Sequence, residues 1–247
     1  RPVDARLQPA DYGRMVHTAL ENFIGSYSTT LPTNALQELL KIGRKAFMPA
    51  RSRPEVFSFW WSRFERSASY FIEEEKKNRR YHTSSQAEVR GSINISTPNG
   101  EFSLTAKVDR IALRRDEAID IFDYKTGSTA TARQILTGTK PQLLIEALIG
   151  LQGGYPKINI HRLGSLISLR LNGGSPVGEY HIVEKDIPLR ATQFLTNLRE
   201  LILAFDDEKT PYYFVPSNEF SSQYNDFQHL ARMKEWLLEP GFLGPTP

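Results

Sequence analysis

Apolar residues recur at helical spacing along the first third of the chain. Met15, Leu20 and Phe23 share one face of the first predicted helix. Asn34 is a suitable N-cap for the second, and Pro49 ends it. The three predicted helices cover about residues 10–26, 35–48 and 54–80.

From residue 86 the apolar pattern changes to a period of two, which is typical of β-strands. Three alternating segments, separated by turn sequences at 98–100 and 116–117, predict an antiparallel meander. The remaining pattern predicts helices near 130–136, 140–150, 191–205 and 224–238, with strands in HRLGSLISLRL and GEYHIVEK. The expected fold class is therefore α/β, a mixed central sheet with an antiparallel meander flanked by helices.

The composition narrows this picture. A chain of 247 residues with 40% hydrophobic content suits one core, so we expect a single domain over 1–247. The absence of cysteine excludes disulfides and any cysteine-ligated iron–sulfur cluster, and it fits a cytoplasmic protein. No apolar run reaches the roughly 18 residues of a membrane span. Because residue 1 is Arg, we expect a piece of a longer chain.

The charge of the chain permits a nucleic-acid partner without identifying one. The formal net charge is +3 and the pI is about 9.0. In FIEEEKKNRR, acids precede bases by four residues, which favours exposed ion pairs from Glu73 to Lys77 and from Glu75 to Arg79. A phosphate-contacting patch is the alternative.

Two aspartates are predicted to face each other in the meander. If the second hairpin turns about Asp116, Asp109 lies opposite Asp123, and their repulsion at about 4 Å is on the order of 4 kcal/mol. Lys125 projects to the same face as Asp123. Such oxygen ligands suit Mg²⁺ or Mn²⁺.

Spacing alone leaves other interpretations open. Asp109 could pair with Arg110 or another base, while Asp123 caps a loop and Lys125 only ends a strand. A register slip of one residue would send one aspartate to the opposite face. Arg110 also has the right chemistry for a phosphate contact.

The wording of three motifs resembles a known family. KVDRI followed by IFDYKTG resembles the RecB-like branch of the PD-(D/E)XK nuclease superfamily, which has a restriction-endonuclease-like fold. GRMVHTALE matches the leading helix of that branch through His17, and PQLLIEALI matches its glutamine helix at Gln142. Within the branch, nearly the whole chain is similar to the C-terminal nuclease domain of AddB-type subunits of alphaproteobacterial AddAB helicase-nucleases. Two departures are Glu146, where many members have tyrosine, and the missing iron–sulfur cysteines.

The resemblance implies a metal site and a catalytic set. The implied metal ligands, for Mg²⁺ or Mn²⁺, are His17, Asp109, Asp123 and the backbone carbonyl of Tyr124. The implied catalytic residues are Asp109, Asp123, Lys125, Gln142 and Glu88.

Several of these implied roles have plain alternatives. Lys125 would orient the attacking water or stabilise the transition state, and Gln142 would contact the substrate backbone or Lys125. Glu88 would be an outer acid, or simply an exposed strand glutamate. Gln142 could equally be a helix-surface residue. The Tyr124 ring is expected to be half-buried, with stacking on a base as the alternative.

The resemblance also implies a function. We expect a Mg²⁺-dependent deoxyribonuclease that trims a single-stranded DNA end delivered by an AddA-like helicase-nuclease subunit during double-strand break repair. One alternative is a non-catalytic module of the same fold that threads DNA or docks the partner subunit. Another is a free-standing exonuclease of the same branch.

Overall fold

A computed structural model of the chain describes residues 7–211. The chain divides into two compact units, residues 1–203 and 204–247. The single domain expected over 1–247 stays a prediction, and the helix expected at 224–238 lies outside the described residues.

The described part of the chain contains six α-helices, a short 3₁₀ helix and five strands. The helices are α1 Pro9–Ser26, α2 Ala35–Ala46, α3 Pro54–Asn78, α4 Ala132–Leu136, α5 Gln142–Leu151 and α6 Ile187–Asp206. The 3₁₀ helix Met48–Ser52 runs across Pro49, because a proline is tolerated in a first turn. The strands are β1 His82–Thr97, β2 Gly100–Arg114, β3 Ile119–Lys125, β4 Leu163–Leu171 and β5 Gly178–Val183.

The five strands form one sheet in the order β1-β2-β3-β4-β5. All neighbours are antiparallel except β3 and β4, which are parallel and are joined through α4 and α5. The predicted mixed sheet with an antiparallel meander and flanking helices is confirmed.

The register of the second hairpin is the predicted one. Arg110 pairs with Phe122, and Ile111 pairs with Ile121. One step further along this register, Asp109 stands opposite Asp123, so the alternative of a slipped register is wrong.

The alternation of β3 divides two cores on opposite faces of the sheet. Phe122 and Tyr124 join the core built with α1, α2 and α3. Ile119 and Ile121 join the core built with α4 and α5. Because side chains alternate along a strand, Asp123 and Lys125 project to the face that α5 covers.

Arg110 is a core residue, contrary to the expected phosphate contact. Its side chain is fully buried, and its guanidinium donates to Glu75 Oε2 at 2.5 Å and to Ser85 Oγ at 3.0 Å. The ring of Phe122 lies 4.6 Å from the guanidinium carbon. Arg110 is therefore unavailable to DNA, and the alternative in which it pairs with Asp109 is also wrong.

The ion pairs at the end of α3 differ in part from the predicted ones. Glu73 pairs with Lys76, three residues on, and not with Lys77. Glu75 does pair with Arg79, at 2.5 Å, but its carboxylate is buried. The face expected to be wholly solvated therefore has an acid turned into the core.

Within residues 7–211, no helix combines the length and apolar character that a membrane span needs.

Candidate metal centre

Three acidic residues lie side by side across the first three strands. Asp109 on β2 stands between Glu88 on β1 and Asp123 on β3. The flanking pairs that fix the first of these positions are Ala87 with Arg110 and Val89 with Val108. Two antiparallel registers thus bring together carboxylates that are far apart in sequence.

Glu88 lies next to Asp109 in this cluster, and its role as an outer acid stays a prediction. Its backbone has φ of 56°, the left-handed region that residues other than glycine rarely adopt, and pairing with β2 is interrupted there. Its side chain is mostly buried and forms an ion pair with Lys107. The alternative of an exposed strand glutamate is therefore wrong, and a carboxylate oxygen of Glu88 lies within 4.8 Å of one on Asp109.

His17 lies on α1 and contacts the acidic cluster at Asp109. The start of α1 approaches the end of β3 so closely that a Cβ on Gly13 would lie 3.0 Å from Thr126 Oγ1. One helical turn later, His17 Nδ1 lies 3.3 Å from Asp109 Oδ1. Burial alone lowers the pKa of His17, but the hydrogen bond to Asp109 and its charge outweigh burial and raise it.

His17, Glu88 and Asp109 each offer a ligand atom, and these three atoms lie within 4.8 Å of one another. One imidazole and two carboxylates suit a divalent ion such as Mg²⁺ or Mn²⁺. Asp123 is not in this group, and its Oδ1 lies 2.5 Å from Lys125 Nζ.

Asp123 is nearly fully buried behind the cluster. Ser168, its partner in the parallel ladder, donates to its Oδ2 at 3.4 Å. Burial raises the pKa of Asp123, and the charge of Asp109 adds to this, while Lys125 opposes it. A cation near Asp109 and Asp123 would relieve this cost.

Tyr124 supports the site through its backbone rather than its ring. Its N–H donates to Asp109 Oδ2 at 2.7 Å, which fixes that carboxylate. Tyr124 is 3% exposed and its ring packs against Phe71 and Phe122, so the ring is more buried than expected and cannot stack on a base. Metal ligation by its carbonyl stays a prediction.

Lys125 is held between β3 and α5. Its amine donates to Asp123 and also, at 2.9 Å, to Gln142 Oε1. The amide of Gln142 in turn donates to Glu146 Oε1 at 3.1 Å. The expected contact of Gln142 with Lys125 is thus present, whereas a contact with substrate stays a prediction.

A cavity of about 300 Å³ opens beside Lys125. Its lining includes Asp123, Lys125, Thr129, Lys140, Pro141 and Leu143. Lys140 is exposed, so the cavity combines a cationic wall with an apolar one.

The sequence analysis missed Lys107, Ser168 and Lys140. Lys107 precedes Asp109 by two residues on one strand, so strand periodicity alone could have assigned it to the same face. Ser168 depends on the parallel register of β3 and β4, which no local pattern specifies. Lys140 depends on how the loop before α5 folds.

Residues 1–212 match the family described as the PD-(D/E)XK nuclease superfamily. The crystal structure of SSO0001 is similar over 81% of this chain and 80% of that chain, with 11% sequence identity and a TM-score of 0.33.

The curated relatives are uncharacterized proteins of Rickettsia. One from Rickettsia bellii is 25% identical over 234 residues, covering 90% of this chain and 28% of the relative. One from Rickettsia conorii is 24% identical over 244 residues, covering 90% and 29%. The chain thus spans less than a third of the length of these relatives.

Proposed function

The chain belongs to the PD-(D/E)XK nuclease superfamily, and from this membership we propose that it is a divalent-metal-dependent DNA exonuclease domain. The observation that carries the proposal is the row of acids across three strands, with Lys125 beside it and His17 above it. Carboxylates and imidazole hold a cation, and a positioned amine acts on a phosphoryl group.

The donor set fits Mg²⁺ or Mn²⁺. His17, Asp109 and Asp123 would hold the ion, with the carbonyl of Tyr124, and Glu88 is close enough to join them. When bound, the metal would supply Lewis acidity to a phosphoryl oxygen and lower the pKa of a coordinated water. No thiolate is available for an iron–sulfur cluster.

Lys125 would act on the phosphate itself. Its amine lies between Asp123 and Gln142 and borders the cavity, so it can reach an oxygen of a phosphodiester placed there. A fixed ammonium group stabilises the negative charge that develops in the transition state and orients the attacking water.

The cavity beside Lys125 offers a place for the DNA strand. Pro141 and Leu143 supply an apolar wall for a sugar or base, and Lys140 supplies a second cation for a neighbouring phosphate. A cavity of about 300 Å³ holds no more than a small part of a strand. These features favour a single-stranded end over intact duplex.

The cellular location and the partner subunit are proposed from the resemblance of the sequence motifs. We propose a cytoplasmic nuclease within a longer chain, consistent with relatives more than three times the length of the match. An AddA-like helicase-nuclease subunit would deliver the DNA end during double-strand break repair. Copurification of the longer natural protein with such a subunit tests this part.

Cleavage assays test the activity directly. The purified chain, given end-labelled single-stranded DNA with Mg²⁺ or Mn²⁺, is expected to shorten it, and EDTA is expected to stop the reaction. Asp109→Asn should abolish activity and Lys125→Met should lower it by a factor of about 10² to 10³, while Lys76→Met, at an exposed lysine on α3, should leave it unchanged. DNA binding with no metal binding and no cleavage would support a non-catalytic module instead.

A further inference from the structure

Glu146 on α5 has an unusual environment for an acid. Its side chain is 1% exposed, and no basic group in the described part of the chain forms an ion pair with it. Its Oε2 is buried without a hydrogen-bond partner among residues 7–211. An unpaired buried polar atom costs stability, so this acid is not explained by packing.

Within residues 7–211, the side chain of Glu146 takes part in one hydrogen bond, and that bond leads to Lys125. Glu146 and Gln142 lie four residues apart on one face of α5, and the amide N–H of Gln142 donates to Glu146 Oε1. That bond turns the other end of the amide, Oε1, toward Lys125 Nζ, 2.9 Å away. Lys125 can only donate, so it favours the same orientation of the amide, and the bond to Glu146 restrains the amide from its other end.

The backbone of Glu146 is also fixed. Tyr155 Oη donates to the carbonyl oxygen of Glu146 at 2.9 Å, and Tyr155 is itself buried. The acceptor therefore stands on a rigid helix turn, as a positioning element requires.

The carboxyl of Glu146 is suited to accept without repelling the neighbouring acids. Burial raises its pKa well above the ordinary value, and the charges of Asp123 and Asp109 raise it further. A neutral carboxyl keeps the acceptor and adds no charge beside the metal centre.

We propose that Glu146 is a positioning residue that holds the Gln142 amide with its oxygen facing Lys125, and so fixes the amine for catalysis. The proposal rests on the nuclease function proposed above. It assigns to Glu146 an action through two hydrogen bonds, with no contact to DNA or metal.

Two substitutions separate positioning from packing. Glu146→Gln keeps an oxygen acceptor of the same shape, whereas Glu146→Leu removes the acceptor and fills the site with an apolar group. We expect kcat to fall about tenfold in Glu146→Leu, the effect of one lost hydrogen bond, and to stay within about twofold in Glu146→Gln. KM for DNA should not change, and Tm should hold or rise in both variants.

Controls exclude a purely structural effect. Ile149→Val trims a buried side chain on the same helix and should lower Tm slightly while leaving kcat unchanged. In a Gln142→Met background, Glu146→Leu should cost nothing further, because the connection to Lys125 is already lost. Equal loss of kcat in Glu146→Gln and Glu146→Leu, or an unchanged kcat in Glu146→Leu, would overturn the proposal.

A crystal structure of Glu146→Leu decides the point even if the protein cleaves no DNA. Loss of the hydrogen bond between Lys125 Nζ and Gln142 Oε1 supports positioning by Glu146. Retention of that bond overturns it. An inactive wild-type protein would refute the nuclease function alone.

Discussion

Glu75 on α3 and Glu146 on α5 are each 1% exposed, but only Glu75 is surrounded by cations. Arg110 and Arg79 both contact Glu75 at 2.5 Å. Burial alone would raise the pKa of Glu75, but the two arginines outweigh it and lower the pKa. Among the described residues, the Glu146 side chain accepts one hydrogen bond, from the Gln142 amide, and the pKa of Glu146 is raised.

The difference between the two acids extends to the two faces of the sheet. On the α1–α3 face, the guanidinium groups of Arg79 and Arg110 compensate the charge of Glu75, which allows this carboxylate to be buried in the core. On the α5 face, Asp123 and Glu146 are buried with too few cations, and both have raised pKa values. Buried acids that nearby cations compensate only in part are costly for folding and concentrate at functional sites. The imbalance separates the candidate metal centre from the structural ion pair.

The largest expected effect is the loss of stability when the buried ion pair of Glu75 and Arg110 is broken. Arg110→Met leaves the buried carboxylate of Glu75 with one cation, and the free energy of unfolding should fall by about 3 kcal/mol or more. Urea denaturation measures it. The double variant Glu75→Met/Arg110→Met should recover much of the loss, and a single-variant change below about 1 kcal/mol would contradict the role of the pair.

On the α5 face, the expected effect is on the rate of DNA cleavage. Lys125→Met removes the amine beside Asp123 and Gln142, and kcat for single-stranded DNA should fall by a factor of about 10² to 10³. Single-turnover cleavage with Mn²⁺ measures it. Lys107→Met, which removes the cation paired with Glu88, is the matched control and should reduce kcat far less.

The two acids should differ in sign when stability is followed against pH. The folded pKa of Glu146 is raised, so its contribution to stability is lost as pH rises from the ordinary value of 4.5 through the folded pKa, by at most about 1.4 kcal/mol per pH unit. Glu146→Gln removes this fall and should gain stability toward neutral pH, with no gain at pH 4. Denaturation of the EDTA-treated protein at several pH values measures it.

Glu75→Gln is the counterpart of that experiment. The folded pKa of Glu75 is lowered, so its stabilisation is present above the unfolded pKa and is lost as pH falls through the folded pKa. Glu75→Gln should therefore destabilise the protein at neutral pH and lose this effect in acid. If the stability of Glu146→Gln and of Glu75→Gln, each relative to wild type, changed with pH in the same direction, the two acids would not differ as described.

The smallest expected effect concerns the cavity. Lys140→Ala should raise KM for single-stranded DNA a few-fold and leave kcat unchanged, because an exposed phosphate contact is worth about 1 kcal/mol or less. Steady-state cleavage at several salt concentrations measures it. A loss of kcat equal to that of Lys125→Met would place Lys140 in the chemistry instead.

The fold was predictable because its signals are local. Helical spacing predicted α1, α2 and α3, and a period of two with turn signals predicted the meander and its register at Asp109 and Asp123. The place of Arg110 was not predictable, because its partner Glu75 lies 35 residues away on a helix that looks solvated in sequence. The sequence around Arg110 does not show that a helix covers the face of the strand on which this arginine lies.

The site was predictable only in part. Motif resemblance indicated His17 and Gln142, which no periodicity would have connected to the strands. The approach of Glu88 to Asp109 depends on an unusual backbone conformation, and the burial of Glu146 depends on the packing of α5 against the sheet. These tertiary features have no local signature.

Above all, we propose that Glu88, Asp109 and Asp123, with His17, bind a divalent cation. A crystal of the protein soaked in Mn²⁺ and measured at the manganese absorption edge tests it most directly. The expected result is anomalous density bonded to His17 and Asp109, with Asp123 or Glu88 completing the carboxylate ligands. Anomalous density elsewhere, or none at a Mn²⁺ concentration that supports cleavage, would contradict the claim.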